Sequence, residues 1–191
     1  MASPVRKPES PGPSPDQVGG MLFETPVSAS LRPAPQDEDG VKRIPHRAAQ
    51  DDFRWDAVEM RPYKEDERAL FRAITRQVLF SDPDMAGELR YFEVAPGGFS
   101  TLERHAHMHG VLILRGSGHC LVGDEVKSLE THDLVTVPPM AWHQFRASKG
   151  EPLGFLCMVN AARDKPQLPS PEDVGRLRRN PAIAAFFDDK P

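Results

Sequence analysis

The sequence predicts an all-β domain, a barrel or sandwich of short strands, with a Pro-rich tail before it and short helices after it. Three observations predict this. Short apolar runs recur from Trp55 onward, and turn residues separate them every ten residues or so. The first 45 residues differ from the rest: they hold nine of the 20 prolines, with Ser, Gly and acidic residues between them. The end reads as helix rather than strand. A length of 191 residues suits one domain with tails. The expected division is a disordered tail over 1–45, a β-barrel over 46–165 and a helical extension over 166–191.

Taken in order, the tail cannot bury enough apolar surface to offset the entropy of ordering it. Ala69–Phe80 then reads two ways: Arg68-Ala69-Leu70-Phe71 can open a helix, whereas Ile74-Thr75 and Val78-Leu79-Phe80 favour a strand. Strands are predicted at Leu89–Ala95, Val111–Leu114, His119–Val122, Leu134–Val137, His143–Arg146 and Leu153–Val159. The punctuation between runs is Pro96-Gly97-Gly98, Gly116-Ser117-Gly118, Gly123-Asp124 and Pro138-Pro139. Gly123-Asp124 has the composition of a tight hairpin turn. Ser170-Pro171-Glu172-Asp173 is a helix start, because Ser can cap, Pro suits the first turn and acids complement the dipole. Helix is expected over Val174–Arg179 and again over Ala182–Phe187, both on the outside of the barrel.

Composition excludes several classes of function. The net charge is −4 and no basic stripe exists to release counterions, so no nucleic-acid partner is expected. Arg176, Arg178 and Arg179 read as a solvated helix face. Two cysteines, Cys120 and Cys157, make no disulfide framework. Neither a secretory signal nor an apolar run of about 18 residues is present, so no membrane partner is expected and a cytoplasmic location is the default.

The densest chemical signal is Glu103-Arg104-His105-Ala106-His107-Met108-His109. Three of seven histidines fall within five residues, and a glutamate lies two positions before the first. Residues two apart on a strand share a face, so two such side chains can bite one metal. A third ligand can enter from the next strand, and a fourth must come from elsewhere. His143 is the candidate, since Pro138-Pro139-Met140-Ala141-Trp142 would deliver a strand start.

At these spacings the residues resemble the cupin family, over about residues 88–160. Gly97, Glu103, His105, His109 and Gly116 overlay a first motif that reads Gly, His-X-His, Glu, Gly. Asp133, Pro138, Met140 and His143 resemble a second motif that ends in a His ligand. The resemblance implies a double-stranded β-helix (a jelly-roll-like barrel), a homodimer, and one divalent metal bound by Glu103, His105, His109 and His143. Two positions are exchanged, Glu103 for the usual His and His109 for the usual Glu, so the inventory of three imidazoles and one carboxylate is kept. In the second motif Asp133 and Met140 replace glycines, the spacing from Asp133 is one residue short, and Ala147 replaces an Asn. A second register pairs His105 with His107 and His143, but it puts Val111 at the carboxylate position.

That donor set suits Fe(II), Mn, Ni, Cu or Zn. With open coordination positions, the resemblance implies an oxidoreductase acting on a small molecule, a dioxygenase, with Glu103 as a base. A metal-dependent lyase or isomerase and a non-catalytic ligand-binding barrel are the alternatives. Cys157 reads either as a small buried hydrophobe or as a thiol near the metal. Tyr63, Tyr91 and Trp142 read as packing or pocket residues. Arg76 and Gln77 lie on an early strand, where an inward Arg would suit a substrate carboxylate. His119 and His132 are expected to be exposed, and Asp164-Lys165-Pro166 to be a turn.

Overall fold

The computed structural model describes residues 46–63 and 70–189. The tail expected over 1–45 lies outside the described residues. A hairpin of β1 (Ala49–Gln50) and β2 (Arg54–Trp55) comes first, followed by β3 (Met60–Pro62) and β4 (Arg72–Asp82). Then come β5 (Gly87–Phe99), β6 (His109–Gly116), β7 (Gly118–Val122), β8 (Glu125–Leu129), β9 (Leu134–Val137), β10 (His143–Ala147) and β11 (Leu153–Asn160). Two helices close the chain, α1 (Pro171–Leu177) and α2 (Pro181–Asp188).

Among the described residues, β3 to β11 form one antiparallel sheet. Its order is β8-β7-β10-β5-β11-β6-β9, with β4 also paired to β5 and β3 to β4. The sheet curls on itself. Its inner face carries the main apolar cluster, with Val94, Val111, Ile113 and Leu153 fully buried and Phe92, Phe145 and Phe155 stacked among them. Alternation decides which residue goes where. On β7, Cys120 joins this inner cluster, while its neighbour Leu121 turns outward and packs under Ile183 and Phe186 of α2. The helices thus sit on the outside, as expected. They cover one apolar strand face that would otherwise meet water.

The ambiguous early segment is a strand from Arg72 onward, and Arg68 and Ala69 of its start lie outside the described residues. β4 runs eleven residues along β5, pairing Ile74 with Val94 and Arg76 with Phe92. The alternation of β-branched residues prevails over the short helix-forming start. Pro96-Gly97-Gly98 does not end a strand, contrary to the expected punctuation. β5 continues through it to Phe99, and Gly97 takes a φ of +67° while its N–H donates to Ser148. Gly116 is the tighter requirement. It has a φ of +71°, and a Cβ there would overlap the carbonyl of Pro152. Gly123-Asp124 forms the predicted turn between β7 and β8, and Gly123 has a φ of +65°.

α1 begins as read, with Ser170 and Asp173 making a reciprocal capping box and Pro171 in the first turn. It ends at Leu177, with Arg178 as the cap, rather than at Arg179. Asn180 caps α2 through Ala182, and its side-chain amide donates to the carbonyl of Asp124, tying the helix to the β7–β8 turn.

Two backbone positions explain how the second motif departs from its usual glycines. His132 has a φ of +80° and Met140 a φ of +61°. The left-handed residue before β9 is therefore His132, five residues clear of Pro138, and not Asp133. That accounts for the spacing that looked one residue short. Asp133 instead accepts from the N–H of Glu130 through its carboxylate, closing the same turn. Met140 holds its strained conformation by donating its N–H to the carbonyl of His105 at 2.7 Å, which joins the two motifs.

Candidate metal centre

Glu103 and His143 lie 40 residues apart in sequence but face each other as an isolated antiparallel bridge. Their backbones exchange hydrogen bonds of 3.2 and 2.9 Å. Arg104 makes a second bridge, with Gln167. The expected shared strand face of Glu103 and His105 is thus reduced to a two-residue extended segment, and His105 follows it in the connection. His109 and His143 open β6 and β10, respectively. Pairing to rigid strands fixes both.

The rings of His105, His109 and His143 converge, with centroids 4.6, 4.8 and 5.5 Å apart. One ligand atom each from Glu103, His105 and His143 lies within 4.8 Å of the others, and the same holds for His105, His107 and His109. The protons on these rings are placed by their outer contacts. His105 Nδ1 faces the carbonyl of His107 at 2.7 Å, and His143 Nδ1 faces that of Ala141 at 3.0 Å. A carbonyl only accepts, so both protons sit on Nδ1 and each Nε2 carries a lone pair. His109 Nδ1 contacts the sulfur of Cys157 at 3.5 Å. The Nε2 atoms of His105 and His109 are buried and have no hydrogen-bond partner. Two orphaned imidazole nitrogens beside a buried carboxylate are what a divalent transition metal would satisfy. The donor set fits such an ion.

Electrostatics agree. Burial holds the imidazole of His105 below its ordinary range, against the hydrogen bond to the His107 carbonyl, which raises it. Burial and the neighbouring His143 and His105 push His109 down to about 2. Neutral rings are the ligand form. Tyr63 donates its hydroxyl to Glu103 at 3.2 Å, and burial beside that carboxylate raises its pKa well above the usual phenol range.

His107 lies in the connection, close to the site. Its ring stacks on His105 at 3.6 Å, and its Nδ1 meets Asp164 at 2.6 Å. Asp164 also accepts from the N–H groups of Ala106 and His107, which holds its carboxyl well below the ordinary range. The residue read as part of a turn therefore pins the His-rich loop from 57 positions away.

These groups line a cavity of about 200 Å³ inside the curled sheet. Tyr63, Arg76 and Cys157 line it too, and so do Arg90 and Arg163, which the sequence did not single out. Cys157 faces inward, and burial pushes its thiol up to about 11, with Arg90 opposing. Gln77 and Tyr91 face the other side. Gln77 donates to the carbonyl of Phe53, and Tyr91 stacks on the Phe53 ring and donates to Glu93. Trp142 is covered by the Arg104 guanidinium, 4.5 Å above its ring, and does not line the cavity. His119 and His132 are exposed. A signal for Arg90 existed: it sits at an inward position of a strand otherwise filled with Phe92 and Val94. Nothing local marked Arg163 or Asp164.

Residues 90–159 match the family model described as a cupin domain. A relative from Rhodospirillum rubrum, named 1-methylthio-D-xylulose 5-phosphate methylsulfurylase, is 58% identical over 144 residues, covering 75% of this chain and 92% of that protein. A cupin 2 conserved barrel domain protein from Rhodopseudomonas palustris is 55% identical, with a TM-score of 0.71 over 74% of this chain and 97% of its own. A cupin-2 domain from Rhodospirillum rubrum is 58% identical, with a TM-score of 0.69 over 76% and 97%. With the curled antiparallel barrel, the converging imidazoles and relatives matched along nearly their whole length, this chain belongs to the cupin family.

Proposed function

We propose that this chain is an enzyme of sulfur chemistry on a phosphorylated keto sugar, acting on 1-methylthio-D-xylulose 5-phosphate as the name of its Rhodospirillum relative describes. The observation that carries this reading is one cavity holding a metal-donor cluster, an inward thiol and several guanidinium groups, in a chain 58% identical to that relative. Glu103, His105, His109 and His143 would hold one divalent ion, as the resemblance implies. Bound there, it would supply Lewis-acid polarisation of a substrate oxygen.

In such a substrate the methylthio group sits on C1, beside the C2 carbonyl. When the C1–S bond breaks, the carbonyl takes up the electron pair. The methylthio sulfur passes to a thiol and forms an S–S bond, and C1 gains the proton that the thiol loses. C1 is reduced and the two sulfurs are oxidised, so no further redox partner is needed. The accepting thiol is a small-molecule thiol. Tyr63 keeps its proton and holds the Glu103 carboxylate in place. Asp164 holds the loop that carries His105 and His107. The apolar floor of Phe92, Phe145 and Phe155 excludes water from the inner end.

Incubating the metal-loaded protein with 1-methylthio-D-xylulose 5-phosphate and a small thiol is the test. Formation of the 1-deoxy sugar phosphate and a methyl disulfide under anaerobic conditions is expected. A dioxygenase remains the second reading, because three imidazoles and a carboxylate also suit Fe(II). Turnover that requires O₂ and yields no disulfide would favour it and reject the first.

A further inference from the structure

The cavity carries a positive group that the metal cluster does not use. Arg90, on β5, is 7% exposed, and its Nε is buried with no hydrogen-bond partner. Its nearest carboxylate, Glu88, lies at 3.6 Å and is already engaged by Arg163 at 2.9 Å. Arg76, on β4, likewise buries an Nε that has no partner. Strand register aims both inward: Arg76 lies across from Phe92 of the core, and Arg90 lies across from Cys157. Three guanidinium groups thus line one small cavity, Glu88 pairs with two of them from outside the lining, and Glu103 and Asp164 are the carboxylates within it. Burying an arginine without satisfying its donors costs free energy, and an anion would recover it. A tetrahedral dianion with several acceptor oxygens suits converging guanidinium forks better than a single carboxylate does.

We infer that Arg76, Arg90 and Arg163 form the subsite for the phosphate of the substrate. This rests on the phosphorylated-sugar reading above and adds the residues that select for it. The subsite fixes one end of an extended sugar phosphate, and the donor cluster and Cys157 face the remainder. Arg76 and Arg90 are the determining pair, since neither Nε makes a hydrogen bond and that of Arg90 has only the longer contact to Glu88 at 3.6 Å. Arg163 contributes less, because it also serves Glu88 and the carbonyl of Asn160.

The test is calorimetric titration of metal-loaded protein with D-xylulose 5-phosphate, D-xylulose and inorganic phosphate, on wild type, Arg76→Gln, Arg76→Lys and Arg90→Gln. Wild type is expected to bind the phosphorylated sugar far more tightly than D-xylulose. Each Gln variant should weaken the sugar phosphate about 10- to 100-fold, the range for losing hydrogen bonds to a charged group, and leave D-xylulose affinity and metal content unchanged. Arg76→Lys should recover part of the loss. Arg76 is only half-buried, so its variants read out the subsite even if Arg90→Gln fails to fold. Equal binding of D-xylulose and its 5-phosphate, or unchanged phosphate affinity in Arg76→Gln, would overturn the subsite. Arginine-dependent sugar-phosphate binding without turnover of the methylthio sugar would uphold the subsite and reject the proposed reaction. Turnover whose KM is unmoved by the Gln variants would uphold the reaction and reject the subsite.

Discussion

Each candidate ligand is prepared by a contact on its far side. His105 and His143 donate Nδ1–H to carbonyls two residues away, so the chain that delivers the ring also sets its tautomer. His109 has Cys157 in that place, a softer partner. Cys157→Ala is therefore expected to lower metal affinity about 10- to 100-fold, the usual cost of removing an outer-shell partner, with Cys157→Ser closer to wild type. Metal titration of the purified variants checks this; equal affinities in all three proteins would remove Cys157 from the site's support. The same rings set a pH dependence. His109 is held at about 2 and His105 below its ordinary value, whereas in the unfolded chain each titrates near about 6.5. Below that pH the unfolded state binds more protons than the native one, so the metal-free protein loses stability as pH falls from about 6.5 towards 2. The urea midpoint should be lower at pH 5 than at pH 7.5, and His109→Gln should flatten the slope. An equal midpoint at both values would contradict the buried neutral ring.

At the scale of elements, turns and caps carry the constraints. Gly116 turns the chain from β6 into β7 against the Pro152 carbonyl, so Gly116→Ala pays for both the left-handed backbone and the overlap. It is expected to destabilise by more than about 1 kcal/mol, measured by denaturant unfolding. Met140 is a different case. It is strained where a glycine would be relaxed, and its side chain is exposed. Met140→Gly should be neutral or stabilising, and a large loss would show that its side chain has a role that its exposure does not reveal. Ser170→Ala removes one half of a capping box and should cost about 1 kcal/mol, but α1 buries no residue, so the loss should stay local. Hydrogen exchange confined to Pro171–Leu177 would show that.

For the whole molecule, the curled sheet and the site are one construction. The four candidate ligands come from the Glu103 bridge, the connection after it, β6 and β10, and they meet only when the sheet curls. An ion that binds the native state alone should stabilise it by about 2.7 kcal/mol at a free concentration of 100 Kd. Glu103→Ala combined with His143→Ala should abolish that gain in a thermal melt, and His107→Ala should retain it, since His107 is engaged by Asp164. A double variant still stabilised by metal would place the ion elsewhere. On the opposite face Leu121 is fully buried under α2. Leu121→Ala should cost about 2–5 kcal/mol without changing metal content, which separates the outer packing from the inner chemistry.

The sequence by itself determined most of the strand pattern, the hairpin at Gly123-Asp124 and the helix start at Ser170, and it marked Glu103, His105, His109 and His143 as candidate ligands. The strands, the hairpin and the helix start depend on neighbours a few residues away, through period-two alternation, backbone conformation or capping. Gln77 and Arg76 show where that legibility ended. They are adjacent on β4, yet one faces the packed Tyr91 side and the other the cavity, and only the pairing of Arg76 with Phe92 decides which. Asp164 reads locally as part of a turn, and its bonds reach 57 residues back to the His-rich loop. Arg163 became a cavity residue through the curl of the sheet, which no window of sequence contains. Local chemistry announced the candidate donors; the fold alone decided which charges, thiol and loop anchor surround them, because those contacts join residues that only the curl of the sheet brings together.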